Sequence, residues 1–319
     1  MSENTLNICQ VSLNKNIPLI IENYENFKKI YKKINIHIIC PETQINEFRN
    51  RLNLEGVEII NENKIISFKD FNKICNDLSI NINYQSEFKE RLNWYYQQIL
   101  KICFAINFIK TSKENLIIWD ADTIILDKIN FFYNDQSINY GNFFEYHKAY
   151  YVTNEAIFKK LPRHFISFLN QFIALSKKEC DFLTNSYLKY DYLNEELGKK
   201  ISEFIIQSIF KKHKTYNGSL FSEYEFIGQS NLIYNKIMQK PMLFLRFGLD
   251  GKLTKFQKSI SILLGYKHVT YEHVHRNIKS LGMLNRSQSY TGLIIIFFKN
   301  FFKFYLRYIK HILMYNYYK

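Results

Sequence analysis

The chain has 319 residues, of which 47% are hydrophobic and 17% aromatic, so a large buried core is available and an intrinsically disordered protein is excluded. Only 10 glycines and 4 prolines occur, which argues against flexible linkers and against a turn-rich all-β protein. The net charge is +14, yet +11 of it lies in residues 251–319. Charge confined to one segment is not typical of a nucleic-acid binder.

The cysteine usage bears on the cellular compartment. The five cysteines are widely spaced and include no Cys-x-x-Cys pair. This pattern predicts buried free thiols in a reducing compartment. The N-terminus shows no basic segment followed by an apolar one, so no secretory signal peptide is expected. We therefore expect a cytoplasmic protein.

Strand and helix patterns alternate through the first 126 residues. Short apolar or alternating runs predict strands at 6–12, 35–40, 57–66 and just before Asp120. Apolar residues at helical spacing predict helices at 17–33, 43–53 and 89–111. Farther along the chain, the same spacing predicts helices at 155–178 and 194–213. Such alternation predicts an α/β fold with a mostly parallel central sheet flanked by helices.

Two carboxylates follow the strongest predicted strand. Asp120 and Asp122 stand two residues apart, directly after the apolar run 116–119. Adjacent buried acids repel each other and lose hydration, so they need a cation. Mg²⁺ or Mn²⁺ carrying a substrate phosphate suits such a pair. The alternative is a strand that ends in a turn whose acids face water.

A polar stripe lies on the predicted helix before these acids. Trp94, Gln97, Gln98 and Lys101 follow i, i+3, i+4, i+7 spacing and share one face. Two amides, an ammonium and an indole suit a pocket wall that binds sugar hydroxyls and phosphate. A half-exposed helix with Trp94 packed inward is the alternative.

Three blocks in this order resemble a known group of enzymes. They are the stretch from Trp94 to Lys101, the Trp-Asp-Ala-Asp at 119–122, and Ser-Glu-Tyr-Glu at 222–225 followed by Gly228. Together they resemble GT-A glycosyltransferases, and most closely the DUF6492-type family of bacterial surface-polysaccharide gene clusters. The resemblance covers about residues 5–250. It suggests a nucleotide-sugar-binding half at 1–128, an acceptor-side half at 129–250 and a separate basic region at 251–319.

The resemblance implies an activity and its cofactors. The expected donor is a nucleotide sugar, with Mn²⁺ or Mg²⁺ held by Asp120 and Asp122, and Asp122 as the more direct ligand. The expected acceptor is a glycan or a lipid-linked glycan of capsule, O-antigen or lipooligosaccharide biosynthesis. Trp94, Gln97 and Lys101, with Gln98 and Asp120, would contact the donor.

Glu223 and Glu225 are candidates for catalysis. If this stretch is extended, both carboxylates point to one side and Tyr224 to the other. One of them, with Glu223 preferred, could deprotonate the acceptor hydroxyl as a general base. Two exposed acids in a loop is the alternative.

Further donor and metal contacts are predicted at the two ends of the chain. Ser12 and Asn14 follow the first predicted strand, where folds of this kind hold the base and ribose of a nucleotide. His273 and His275 alternate around Val274 and could complete the metal site on one face of a strand. A polar strand face without metal is the alternative for these histidines.

The C-terminal tail combines basic and apolar residues. Lys299, Lys303, Arg307 and Lys310 recur at steps of four, four and three, among Phe, Ile, Leu and Tyr. The longest apolar run, 292–298, is far shorter than the roughly 20 residues that span a bilayer. This predicts a basic amphipathic helix on an anionic membrane surface, at the inner face of the plasma membrane. A helix that packs on the domain or forms a homodimer is the alternative.

Two other functions compete with the transferase. A metal-dependent nucleotidyltransferase of related fold usually has a Gly-rich loop after its first strand, whereas residues 12–16 contain no glycine. A membrane-associated scaffold with a degenerate site is the non-enzymatic alternative.

Overall fold

The computed structural model describes most of the chain. Its described residues are 5–79, 86–142, 147–159, 161, 167–189, 195–216, 218–235, 239–243, 245–247, 253–271, 298, 302–303, 305–306 and 309. The predicted metal ligands His273 and His275 lie outside these residues, as does most of the C-terminal tail.

Strands and helices alternate along the N-terminal part as the sequence predicts. The elements are β1 Leu6–Val11, α1 Ile17–Ile30, β2 Ile34–Cys40, α2 Ile45–Arg51, β3 Val57–Asn61, α3 Phe68–Leu78, α4 Ser86–Glu90, α5 Leu92–Ser112 and β4 Leu116–Trp119. The later elements are β5 Thr123–Ile125, β6 Phe132–Tyr133, β7 Gln136–Ser137, β8 Asn139–Gly141, α6 Lys148–Phe158, β9 Phe172–Leu175, α7 Lys177–Leu183, α8 Glu195–Lys212, α9 Glu223–Tyr234, β10 Gln239–Pro241, β11 Leu245–Phe247, α10 Lys255–Leu263 and β12 His268–Tyr271.

A five-stranded sheet forms the centre of the molecule. Its strand order is β3-β2-β1-β4-β9, and the first four strands run parallel while β9 is antiparallel to β4. The carboxyl ends of β1 to β4 therefore meet at one edge. This confirms the predicted α/β fold with a mostly parallel central sheet.

Helices cover both faces of this sheet. Consecutive strand residues point to opposite sides of the sheet. Ile8 and Ile117 therefore belong to the core cluster on one face, and Cys9 and Ile118 to the core cluster on the other. One face packs against α5, α8 and α9, and the other against α1 and α2. Burial on both faces explains why the strands read as nearly continuous apolar runs.

Residues 253–271 pack as part of the same domain. Strand β12 pairs with β5, and Tyr266 and Val269 pack against Leu19 and Ile124 in a third core cluster. The boundary that the sequence suggested at 250 therefore does not separate residues 253–271 from the domain. They contribute to the sheet next to the Asp120–Asp122 turn.

Some sequence predictions for the middle of the chain are wrong. The helix predicted at 155–178 is instead α6, which ends at Phe158, and the strand β9. A short apolar run such as Phe-Ile-Ala-Leu fits a strand or a helix equally well by periodicity. The helix predicted at 194–213 is confirmed as α8, and all five cysteines are buried and free as expected.

Candidate active site

A cavity of about 990 Å³ opens at the carboxyl ends of the parallel strands. Its floor is formed by residues that follow β1, β2, β3 and β4, and its walls by α5, α6 and the start of α9. Ligands of α/β proteins bind at this edge of the sheet. Among the predicted site residues, those that line the cavity are Ser12, Trp94, Gln97, Gln98, Lys101, Asp120, Asp122 and Glu223.

The Asp120–Asp122 turn is held by backbone hydrogen bonds on three sides. The Asp120 N–H donates to the Gln171 carbonyl at 2.9 Å, and the Thr123 N–H donates to the Asp120 carbonyl at 3.0 Å. The Tyr271 N–H on β12 donates to the Asp122 carbonyl at 2.9 Å. The turn therefore presents both carboxylates to the cavity from a fixed backbone.

Lys101 forms a buried ion pair with two acids. Its ammonium donates to the carboxylate of Asp120 and, at 2.7 Å, to Oε1 of Glu223. It also lies 5.1 Å from the centroid of the Tyr224 ring. Burial alone would lower the pKa of Lys101, but the two carboxylates outweigh burial and raise it. Lys101 is therefore a permanent cation between α5, the Asp120 turn and α9.

The predicted polar stripe on α5 does face the cavity. Trp94, Gln97, Gln98 and Lys101 all line it. Gln98 is already bonded, because its Oε1 accepts the Glu223 N–H at 3.0 Å and its Nε2 donates to the Trp94 carbonyl. It therefore stabilises the start of α9, while Gln97 is half-buried and faces the cavity.

The stretch 222–225 is helical, not extended. Ser222 caps α9 by accepting the Glu225 N–H, and the helix starts at Glu223. The two acids therefore point in different directions, and the prediction that they share one side is wrong. Glu223 faces the cavity, but Lys101 occupies its Oε1.

Glu225 is buried away from the cavity. It is 1% exposed and accepts hydrogen bonds from the Ser167 hydroxyl at 2.6 Å and the Phe168 N–H at 2.9 Å. A carboxylate in this position has no access to an acceptor hydroxyl. The structure therefore contradicts the catalytic role predicted for Glu225.

Burial raises the pKa of Glu225 to about 7, against the opposing effect of Ser167 and Phe168. Below the ordinary Glu pKa, this carboxyl is protonated in both the folded and the unfolded chain. Between the ordinary Glu pKa and about pH 7, the unfolded chain releases this proton while the folded state keeps it, so stability falls as the pH rises. Glu225→Gln removes this titration. The free energy of unfolding of the variant and of the wild type is measured with urea at about pH 5 and about pH 8. Relative to the wild type, the variant should be about 2–3 kcal/mol more stable at pH 8 than it is at pH 5. A constant difference across that range would contradict this expectation.

Of the two other predicted contacts to the sugar donor, one lines the cavity and one does not. Ser12 is buried at the end of β1 and lines the cavity. Asn14 lies outside the lining residues, and its side chain donates to Glu47 at 2.7 Å while its backbone N–H donates to Gln44. The structure therefore does not support Asn14 as a donor contact.

Three carboxylates and one ammonium meet where the sequence predicts a divalent metal. Asp120, Asp122 and Glu223 bring three carboxylates to this part of the cavity and Lys101 one ammonium, a formal excess of two negative charges. Lys101 compensates the charge of Asp120, and Asp122 presents a second carboxylate to the cavity. Among the described residues, no three His, Cys, Asp or Glu side chains form a complete metal cluster. A metal here would share its coordination with substrate phosphates and water, as Mg²⁺ often does.

The structure brings further residues to the cavity that the sequence did not single out. At one end, Arg91 donates to Ser219 at 2.8 Å, and the rings of His147 and Tyr150 lie 5.0 Å apart beside Trp94. They come from three separate stretches of the chain, so no local sequence pattern identifies them. At the other end, the carboxylate of Glu62 follows β3.

Comparisons with known proteins give a limited result. No protein-family profile and no curated protein sequence matches the chain. The crystal structure of mouse xyloside xylosyltransferase 1 in its apo form is similar over 83% of this chain and 97% of that one, at 11% identity and a TM-score of 0.40. A likeness at this level supports no inference about activity, and the DUF6492 resemblance stays a prediction.

Proposed function

We propose that the protein is a metal-dependent glycosyltransferase that uses a nucleotide-sugar donor. The observation that carries this proposal is the Asp120–Asp122 turn, which presents two carboxylates to a cavity of about 990 Å³ at the carboxyl end of β4. The cavity continues past Ser12 to the ends of β2 and β3, which provides room for a nucleotide beside the acids.

Mn²⁺ or Mg²⁺ would be held by Asp122, with Asp120 assisting. When bound, such an ion stabilises negative charge on a leaving diphosphate. The chain itself contributes Lys101, whose ammonium fixes the Asp120 carboxylate and adds positive potential at the same point. Glu223 holds Lys101 in place, and we assign it this positioning role instead of the role of general base.

The acceptor enters, in this proposal, at the end of the cavity formed by α5, α6 and the start of α9. Trp94 offers an indole face there, and Arg91, Gln97 and Ser219 offer hydrogen-bonding groups. Aromatic faces with nearby polar groups suit sugar rings. We propose a glycan or lipid-linked glycan of a bacterial surface polysaccharide as the acceptor.

Titration of UDP and GDP into the full-length protein, with and without Mn²⁺, tests the proposal. We expect binding of at least one nucleotide that depends on the metal, and slow release of nucleoside diphosphate from the matching nucleotide sugar. If no nucleotide binds with any metal, the non-catalytic scaffold is favoured. Release of pyrophosphate from a nucleoside triphosphate and a sugar phosphate would instead identify a nucleotidyltransferase.

We further propose that the C-terminal tail binds the anionic inner face of the plasma membrane. The described tail residues are helical, and Phe298, Phe302, Leu306 and Ile309 are 54%, 63%, 67% and 51% exposed. At 100° per residue these positions share one side of a helix. The sequence places the basic residues 299, 303, 307 and 310 next to that side. An apolar face bordered by cations suits an anionic lipid interface. No helix among the described residues is long and apolar enough to cross a bilayer.

Sedimentation with vesicles tests the tail. We expect the full chain to bind vesicles containing phosphatidylglycerol and to bind zwitterionic vesicles at least about tenfold more weakly. The double substitution Phe302→Ser and Leu306→Ser should reduce binding, whereas Phe256→Ser, at an exposed position on α10, should not. The membrane proposal would be rejected if the double variant binds vesicles as the wild type does. It would also be rejected if the double variant loses dimerisation and not vesicle binding.

A further inference from the structure

Glu62 places a carboxylate at the far end of the cavity from Trp94 on α5 and Tyr150 on α6. It is the first residue after β3, is half-buried and lines the cavity together with Ser12 and Pro41, which follow β1 and β2. Within the part of the chain that the structure describes, no group donates a hydrogen bond to this carboxylate. Burial raises the pKa of Glu62, which indicates that the carboxylate has lost part of its hydration. A ligand that donates hydrogen bonds would replace that water.

The distance along the sheet edge fits a nucleotide. In the strand order β3-β2-β1-β4, Glu62 and the Asp120–Asp122 turn stand at opposite ends of four parallel strands. Three strand intervals of about 4.8 Å separate them by about 14 Å. An extended nucleoside diphosphate with its phosphates at Asp122 reaches this far with its base. The base then lies at the ends of β2 and β3.

The surroundings of Glu62 suit a flat aromatic ring. Pro41, Phe68 and Tyr96 line the cavity there, and the rings of Phe68 and Tyr96 meet edge to face at 5.2 Å. The Tyr96 hydroxyl donates to the Ile66 carbonyl at 2.7 Å, so that donor is already occupied. The Glu62 carboxylate is an acceptor on this largely apolar wall.

A carboxylate distinguishes the nucleobases by their donors. It offers two acceptor oxygens and no N–H or O–H. Guanine presents two adjacent donors, N1–H and the N2 amino group, which match both oxygens. Uracil presents one N–H between two carbonyls, and adenine and cytosine each pair their amino group with a ring acceptor. These carbonyls and ring nitrogens would face a carboxylate oxygen and repel it.

We propose that Glu62 accepts hydrogen bonds from the Watson–Crick edge of guanine and that the sugar-donor substrate is a guanosine diphosphate sugar. This inference rests on the proposed transferase function and makes it more specific. Two parallel charge-assisted hydrogen bonds should favour guanine by about tenfold to a hundredfold.

Calorimetric titration of GDP, UDP, ADP and CDP in the presence of Mn²⁺ tests the inference. We expect the wild type to bind GDP at least about tenfold more tightly than the other three. Glu62→Gln should weaken GDP binding by about tenfold or more and change UDP binding less, because the amide donates where guanine also donates. The matched control is Glu42→Gln, an exposed acid after β2 that does not line the cavity.

The outcomes separate the two proposals. If UDP binds as tightly as GDP, or if Glu62→Gln affects all nucleotides equally while its thermal unfolding is unchanged, the guanine assignment is overturned and the transferase stands. If no nucleotide binds to the wild type under any condition, both proposals are overturned. A GDP preference that Glu42→Gln also removes would overturn the role of Glu62.

Discussion

Replacing Lys101 by methionine should lower the free energy of unfolding by about 3–5 kcal/mol at neutral pH. The substitution leaves the carboxylates of Asp120 and Glu223 close together without their shared cation, and Lys101 is only 3% exposed. Urea denaturation followed by circular dichroism measures the loss. The matched control is Lys28→Met, which removes an ion pair of 3.0 Å with the mostly exposed Glu55 and should cost much less, because water screens an exposed pair.

A double-mutant cycle shows whether the loss arises from the ion pair. Glu223→Gln in the Lys101→Met background removes one of the two uncompensated charges, so part of the lost stability should return. A Lys101→Met variant as stable as the Lys28→Met control would contradict the buried-pair interpretation. Full additivity of the two substitutions would contradict the coupling between Lys101 and Glu223.

Asp122→Asn should abolish most metal-dependent nucleotide binding and reduce turnover of the nucleotide sugar by about a hundredfold to a thousandfold. The amide keeps the size of the side chain but loses the charge that a hard divalent cation prefers. Asp122 is half-buried at the cavity surface, and its backbone bond to Tyr271 is retained in this variant.

Calorimetry with and without Mn²⁺ separates this effect from a general loss of fold. The control is Asp135→Asn, an exposed acid in the turn between β6 and β7, which should bind nucleotide as the wild type does. If Asp122→Asn retains the metal dependence of nucleotide binding, the metal does not require Asp122. Asp120→Asn should in addition lower stability, since Asp120 is a partner of Lys101.

The sequence predicts correctly those elements whose pattern of apolar residues matches their burial in the fold. The strands β1, β2 and β4 are buried on both faces, so their apolar runs identify them, and α5 shows a clear helical repeat of apolar residues. The same repeat placed Trp94 and Lys101 on the face that lines the cavity. The Asp120–Asp122 turn was predictable because it follows directly on β4.

The start of α9 carries a local sequence pattern that indicates a helix. Ser222 and Glu225 have the Ser-x-x-Glu spacing of a helix N-terminus. Interpreted in that way, the stretch predicts a helix in which Glu223 and Glu225 diverge. The predicted extended conformation implies a catalytic role for Glu225 that its burial contradicts.

No local sequence pattern predicts the pairing of Lys101 with Glu223. The two residues are 122 positions apart and meet only because α9 packs against α5. The role proposed for Glu62 depends likewise on the order of strands in the sheet, which brings the ends of β3 and β4 to one cavity. Such contacts follow from topology, which the sequence pattern leaves undetermined.

One ammonium serves two acids that come from different parts of the chain, and this has an evolutionary consequence. Loss of Lys101 leaves two buried carboxylates without a cation, whereas loss of either acid leaves Lys101 paired with the other one. Descendants that lose Lys101 should therefore survive only when a second substitution removes a carboxylate or supplies another cation. In diverged relatives Lys101 should change only together with Asp120 or Glu223, although the three positions belong to separate stretches of sequence.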